Sequence, residues 1–167
     1  NKPADCTADL VNGNIDILVN FAVNKGHSAS RGRTTLGMKN QMGTFDPVFC
    51  HEGSENDEFN YLIGVNKSSV IIGGDPVRQQ LVIVDSIYAM EGGPNGSPDQ
   101  VPGALVMGTF APAVDYAAAK RIREEEMGLS HSDYLEKFLT SFDYTEDEQS
   151  EFLTKSPEEN NGAGIGT

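Results

Sequence analysis

The chain has 167 residues, 38% of them hydrophobic and 22% charged, which is enough for one domain with a sizeable core. Its formal net charge is -13, with 12 Lys and Arg against 25 Asp and Glu, and the acidity gathers between Glu124 and Glu159, which argues against nucleic acid or an anionic membrane surface as a partner of that region. No apolar stretch approaches the roughly 18 residues of a membrane span, and Cys6 and Cys50 supply neither a zinc nor an iron–sulfur ligand set, because no Cys-x-x-Cys occurs.

Residues 1–13 read as a loosely ordered lead-in. The chain opens Asn1-Lys2-Pro3, without an initiator Met or a signal peptide, as a mature, trimmed or truncated product would; export stays open beside a cytoplasmic location. A first strand is expected over Ile15 to Val23, and its nearly continuous apolar character suits a buried, parallel position. A loop from Asn24 to Arg33 leads to a short helix over Thr34 to Met42, then a loop from Phe45 to Glu58 and a helix from Phe59 to Val65. Gln80 to Ile87, rich in β-branched residues, is the clearest strand, and Met90 to Pro98 is a dense cluster of turn formers.

A short strand, Gly103 to Gly108, precedes a helix that admits Pro112 in its first turn and stops at Gly128. Val114, Ala118 and Ile122 form its apolar stripe, and Lys120–Glu124 and Arg121–Glu125 are i,i+4 pairs. A further helix starting near Ser132 aligns Leu135, Phe138, Leu139 and Phe142, and Thr145-x-x-Glu148 is a capping-box pattern opening a last short helix through Leu153. From Glu124 to Glu159 there are 12 acidic residues against Lys137 and Lys155, the composition of a solvated helical face. The pattern predicts an α/β fold: a mixed or mainly parallel sheet flanked by helices, with a helical acidic C-terminal segment. One domain spans 14–154, and 155–167 is a Gly-rich, disordered tail.

Against this acidic background, Ile17 to Phe45 holds no Asp or Glu, yet carries Lys25, His27, Arg31, Arg33 and Lys39. Cations in a Gly- and Ser-containing loop just past a strand end are well placed to hold an anion. Two runs in this region, Val19 to His27 and Thr34 to Gly43, resemble the domain of unknown function 362 family (DUF362), as do Val84 to Gly96 and the Ala113-Val114-Asp115 that follows. The resemblance covers about residues 15–128. It implies a prokaryotic α/β domain, in some members exported or fused to ferredoxin-type iron–sulfur modules, with no established activity. It also implies a further α/β half ahead of the first strand seen here, and an Asp-Pro pair where this chain has Thr109-Phe110-Ala111-Pro112.

Four constellations could carry chemistry. Lys25, Arg31, Lys39 and Asn40, with His27 and Arg33, offer charge-assisted donors for a phosphate or carboxylate; the simpler alternative is a basic loop docked on acidic surface. Cys50, His51 and Glu52, with Asp85, Glu91 and Asp115, supply the ligand types of a divalent metal without a known spacing, and Glu91 and Asp115 could equally cap a turn and a helix. Gly26-His27-Ser28-Ala29-Ser30 is close to a nucleophile elbow, with Asp115 and His131 following in triad order, but Ser30 stands where that motif has Gly. Gly92-Gly93-Pro94-Asn95-Gly96 could wrap a phosphate, although a tight turn explains it as well and no Walker or dinucleotide fingerprint is present.

The resulting expectation is a polar pocket at strand C-terminal ends that takes a small anionic ligand or a metal-held cofactor, in a redox-associated setting. Lys25, Arg31, Lys39 and Asn40 would clamp the anion. His27 or His51 would be the acid/base group, and Asp85, Glu91, Asp115 and Cys50 would hold a cation. The alternative is a non-catalytic binding or assembly subunit that docks on another protein chain.

Overall fold

The computed structural model describes residues 6–28, 33–45, 55–130, 139–142 and 164–166, with backbone alone for 55–59 and 164–166. Its elements in chain order are α1 (Ala8–Val11), β1 (Leu18–Gly26), β2 (Thr34–Thr35), α2 (Gly37–Asn40, prolonged by a 3-10 turn over Gln41–Thr44), α3 (Glu55–Lys67), β3 (Gln79–Met90), β4 (Ala104–Gly108), α4 (Ala111–Ala117, continuing as a π-helix over Ala118–Glu126) and β5 (Gly164–Gly166). The five strands form one sheet in the order β2-β1-β3-β4-β5. Only β1 and β3 run parallel, with Val19 opposite Leu81 and Val23 opposite Asp85; the other pairings are antiparallel. The sheet is therefore mixed, and the fold is α/β, as the alternation of strand and helix patterns predicts.

The core lies on one face of this sheet. Ala22, Val82, Val84, Ala104 and Val106 point inward from the three central strands against Leu36, Met38, Leu62 and the apolar side chains of α4. All seven residues of α4 are buried, and the buried run continues through Ala118, Ala119 and Ile122. The first two turns are enclosed on every side, Asp115 and Tyr116 included, so the expected stripe of Val114, Ala118 and Ile122 is correct but too narrow. On its solvent side Lys120 Nζ lies 3.2 Å from Glu124 Oε2, and Arg121 Nη1 2.9 Å from Glu125 Oε2, as their i,i+4 spacing predicts.

The opposite face is open. Burial alternates along β1, and Val19, Phe21 and Val23 are 53%, 56% and 48% exposed. The apolar run that reads as a strand buried on both faces is covered on one only. A continuous run cannot report how many faces a neighbouring layer covers, because both of its parities are apolar.

One expected boundary needs correction. The first strand starts and ends three residues later than Ile15 to Val23, because Asn24, Lys25 and Gly26 extend it into the pairing with β2. The lead-in contains α1, whose Leu10 is buried and whose carbonyl accepts the Arg78 guanidinium. Residues 164–166 form β5, pairing Gly166 with Leu105 and Gly164 with Met107, and the rest of the expected tail lies outside the described residues. Residues 139–141 are helical, with Leu139 buried and the Phe142 ring edge-on to Phe110 at 5.6 Å. The rest of the expected acidic C-terminal helices, with His131, Leu135 and Phe138, lies outside the described residues.

Candidate functional site

Two polar clusters lie on the covered side of the sheet, and a third group of polar residues stands at the C-terminal ends of β1 and β3. The first cluster is organised around α2. Its N-cap position is Leu36, whose side chain cannot cap, so the first backbone amides need an acceptor from elsewhere. Asp115, one turn into α4, provides it: Oδ1 accepts the Gly37 N–H at 2.7 Å and Oδ2 the Met38 N–H at 2.8 Å. Gly37 allows this approach, since a Cβ there would stand 2.7 Å from Asp115 Oδ1 and 2.8 Å from Val82 Cγ1. Asp115 is 1% exposed. Burial pushes its carboxyl up to about 7, while the hydrogen bonds from Met38 and Gly37 pull the other way.

Amide side chains secure the same segment. Asn20 Nδ2 donates to the Gly37 carbonyl at 2.7 Å and to Gln79 Oε1 at 3.1 Å, and its Oδ1 accepts Asn40 Nδ2 at 2.8 Å. Gln41 Nε2 donates to Gln79 Oε1 at 2.6 Å, and Asn66 Nδ2 bridges the carbonyls of Met38 and Leu62 at 3.0 and 2.9 Å. Asn40 also donates to the Phe21 carbonyl at 3.2 Å, and Lys39 is buried. Asp115 and Asn40, two of the sequence-derived candidates, are thus structural partners of α2.

The second cluster is centred on Arg123, which the π-helix drives to 1% exposure. Its Nη1 donates to Asn24 Oδ1 at 2.9 Å and the Met90 carbonyl at 3.0 Å, and its Nη2 to the Glu91 carbonyl at 3.1 Å. Asn24 Nδ2 donates in turn to Ser86 Oγ at 3.0 Å. The fork of the guanidinium ties the end of β1 to the end of β3. Gly26 completes the closure, for a Cβ there would overlap the Glu91 carbonyl oxygen, and a Cβ on Gly93 would overlap the Gly26 carbonyl.

At this edge Lys25 is half-buried in register with Met90, its parity that of the open face. His27 follows, its N–H donating to the Arg33 carbonyl at 2.8 Å and its Nδ1 accepting the Ser28 N–H at 2.9 Å, so the neutral ring carries its proton on Nε2. Arg33 holds φ at 61°, a left-handed conformation uncommon for a residue with a side chain. Glu91 is exposed and its N–H donates to Asp99 Oδ1 at 2.8 Å. Asp85 sits on the open face with its Oδ1 accepting the Ile87 N–H at 2.9 Å.

The edge therefore brings together Lys25, His27 and Glu91, while Lys39, Asn40 and Asp115 stand with α2 on the covered side. Arg31, Cys50 and His51 lie outside the described residues, and Cys6 is a free thiol whose pKa burial raises. Among the described residues no three or more His, Cys, Asp or Glu side chains gather into a group that could hold a metal ion. Asn20, Gln79 and Arg123 are missed by sequence reasoning. The available signal for Asn20 and Asn24 is their inward parity in a strand whose other inward positions are small or apolar; Arg123 sits at i+4 from the buried Ala119.

No described helix is long and apolar enough to cross a membrane. No curated protein and no solved structure matches the chain. A family match does exist, and it covers β1 to the middle of the α4 helix, which takes in the Asp115 cluster and the strand edge and stops short of Arg123. The chain belongs to the family described as domain of unknown function (DUF362), whose sequence profile matches residues 11–120.

Proposed function

We propose that this chain binds a small anionic ligand, of the phosphate or carboxylate class, at the C-terminal edge of β1 and β3. The observation that carries the reading is the convergence there of Lys25, His27 and the Glu91-to-Gly96 turn, locked together by Gly26, Gly93 and Arg123. In open α/β sheets, ligands are taken up beyond the carboxyl ends of parallel strands, and β1 and β3 are the parallel pair. Lys25 supplies charge and His27 a ring N–H or a proton acceptor, with Arg31 as the next cation in the loop. A cation accompanying the ligand would draw on Asp85 and Glu91. The redox-associated setting comes from the family resemblance alone, and this chain's own cysteines do not form a cluster site.

The test is calorimetric titration with inorganic phosphate, pyrophosphate and a dicarboxylate. Lys25→Ala and His27→Ala should each weaken binding about tenfold or more at unchanged circular dichroism, with affinity falling as salt rises. Equal binding by wild type and both variants would refute the assignment. A second reading, docking on another protein chain, is favoured by a different observation, the uncovered apolar face of the sheet.

A further inference from the structure

From the open face of the sheet we infer that a second copy of this chain packs on it, face to face, in a two-fold dimer. The inference deepens the docking reading and is independent of the anion site. Val19, Phe21 and Val23 of β1, Ile87 of β3 and Met107 of β4 all lie on this side, at 53%, 56%, 48%, 43% and 37% exposure, and Ile17, at 65%, continues the alternation one step before β1. The strands carrying them are adjacent and hydrogen-bonded, Phe21 opposite Ile83 and Ile83 opposite Met107. The residues form one patch, with Asp85 set within it between Val23 and Leu105 and its Oδ1 held by the Ile87 N–H.

At these exposures the six side chains present roughly 500 Å², toward the upper end of the about 300–600 Å² that a monomer's largest apolar patch spans, a size at which such patches are often functional. Two such patches bury roughly 1,000 Å², the lower bound for a specific interface, before the half-buried Leu81, Ile83 and Leu105 on the same side are added. The occupant must itself be apolar and broad. Among the described residues the other exposed large hydrophobics make smaller groups, Tyr88 standing beside Val101 across the Ala89–Gln100 bridge, so this patch is the broadest described surface that can match it. A patch matched by its own copy closes by an isologous two-fold contact, with sheets stacked about 10 Å apart.

Charge gives the dimer a signature. Each copy carries a formal -13, so association works against repulsion and should strengthen as salt screens it, the reverse of the salt dependence expected for anion binding at Lys25 and His27.

The experiment is sedimentation equilibrium of the full chain from about 1 μM to about 200 μM, at about 50 mM and about 500 mM salt. A concentration-dependent dimer, tighter at high salt, is expected. Phe21→Glu should raise its dissociation constant about 100-fold or more, because each dimer loses two buried rings and gains two buried charges. Phe21 is more than half exposed in the single chain, so unchanged circular dichroism will report that the variant folds. A Phe21→Glu protein that dimerises like wild type overturns the proposal. So does a wild type that stays monomeric, and there dye binding by 8-anilinonaphthalene-1-sulfonate separates the two readings. A monomer whose dye binding is lost in Phe21→Glu keeps the face open for a different partner, sinking the second copy and leaving docking; a monomer that binds no dye sinks both.

Discussion

Replacing Asp115 by Asn should remove one site's loss of stability as pH rises toward neutrality. In the folded protein the Asp115 carboxyl is raised from 3.8 to about 7, chiefly by burial. The folded state keeps the proton between those values, whereas the unfolded chain releases it near 3.8. The sign follows. This group's contribution to stability is complete below about pH 4, declines as pH rises, and is lost once pH passes about 7. A gap of about three units corresponds to about 4 kcal/mol, a large fraction of the stability of a domain this size.

Asn cannot titrate, so the decline attributable to this site disappears in Asp115→Asn. The substitution still has a cost. Its one carbonyl oxygen can accept from Gly37 or from Met38, and its NH2 group then faces the remaining amide, a loss of about 1–3 kcal/mol at every pH. Between pH 5 and pH 8 the variant should therefore gain about 2–3 kcal/mol on wild type and be the more stable of the two at pH 8. Urea unfolding at several pH values from 5 to 8, compared as wild type minus variant so that the other acidic groups cancel, measures this directly. A difference that stays constant across the range would refute the reasoning, by showing that the two amides hold the carboxylate ionised despite its burial.

Two further substitutions probe the same architecture from other directions. Gly37→Ala should cost about 2 kcal/mol or more, read as a lower urea midpoint at unchanged slope, because its methyl meets Asp115 Oδ1 at 2.7 Å and Val82 Cγ1 at 2.8 Å in a packed interior. Arg123→Lys should lower the thermal midpoint by several degrees despite retaining the charge, because an ammonium cannot reproduce the fork that reaches Asn24 Oδ1 and the carbonyls of Met90 and Glu91 together; an unchanged midpoint would show that the fork is dispensable.

What the sequence makes legible is what neighbouring residues decide. The β-branched run at Gln80 to Ile87 lies within β3, and Pro112, Gly128 and the Lys120 and Arg121 ion pairs bracket and decorate the α4 helix as their spacing predicts. What it hides is what distant residues decide. Asp115 caps α2 across a separation of 78 residues, and Arg123 reaches Asn24 across 99. Asp115 reads equally well as a metal ligand or a helix cap until its partners are known, because a carboxylate suits both. Lys25 and Asn40 look alike as anion donors in a list of residues. Only strand parity separates them, since Lys25 takes the open-face parity of β1 and Asn40 bonds to Asn20 on the covered one.

That separation bears on where function can reside. On the covered side the main polar groups are already engaged, Asp115 with two amides, Asn20 with three partners, Asn66 Nδ2 with two carbonyls and Arg123 with three oxygens, while Asn66 Oδ1 and Gln79 Nε2 are buried without a hydrogen bond. Breaking any of these to bind a ligand would leave a buried group unsatisfied, a cost of about 1–3 kcal/mol that a small anion would have to exceed before it bound at all. Outside these buried networks lie the strand edge at Lys25 and His27 and the open face across β1, β3 and β4. They meet at Lys25, whose parity puts it on the same side as Phe21 and Val23. A second copy seated on the face would therefore approach the edge site as well. A dimer should accordingly alter anion affinity through Lys25, whereas the Asp115 cluster, on the other side of the sheet, should be indifferent to both.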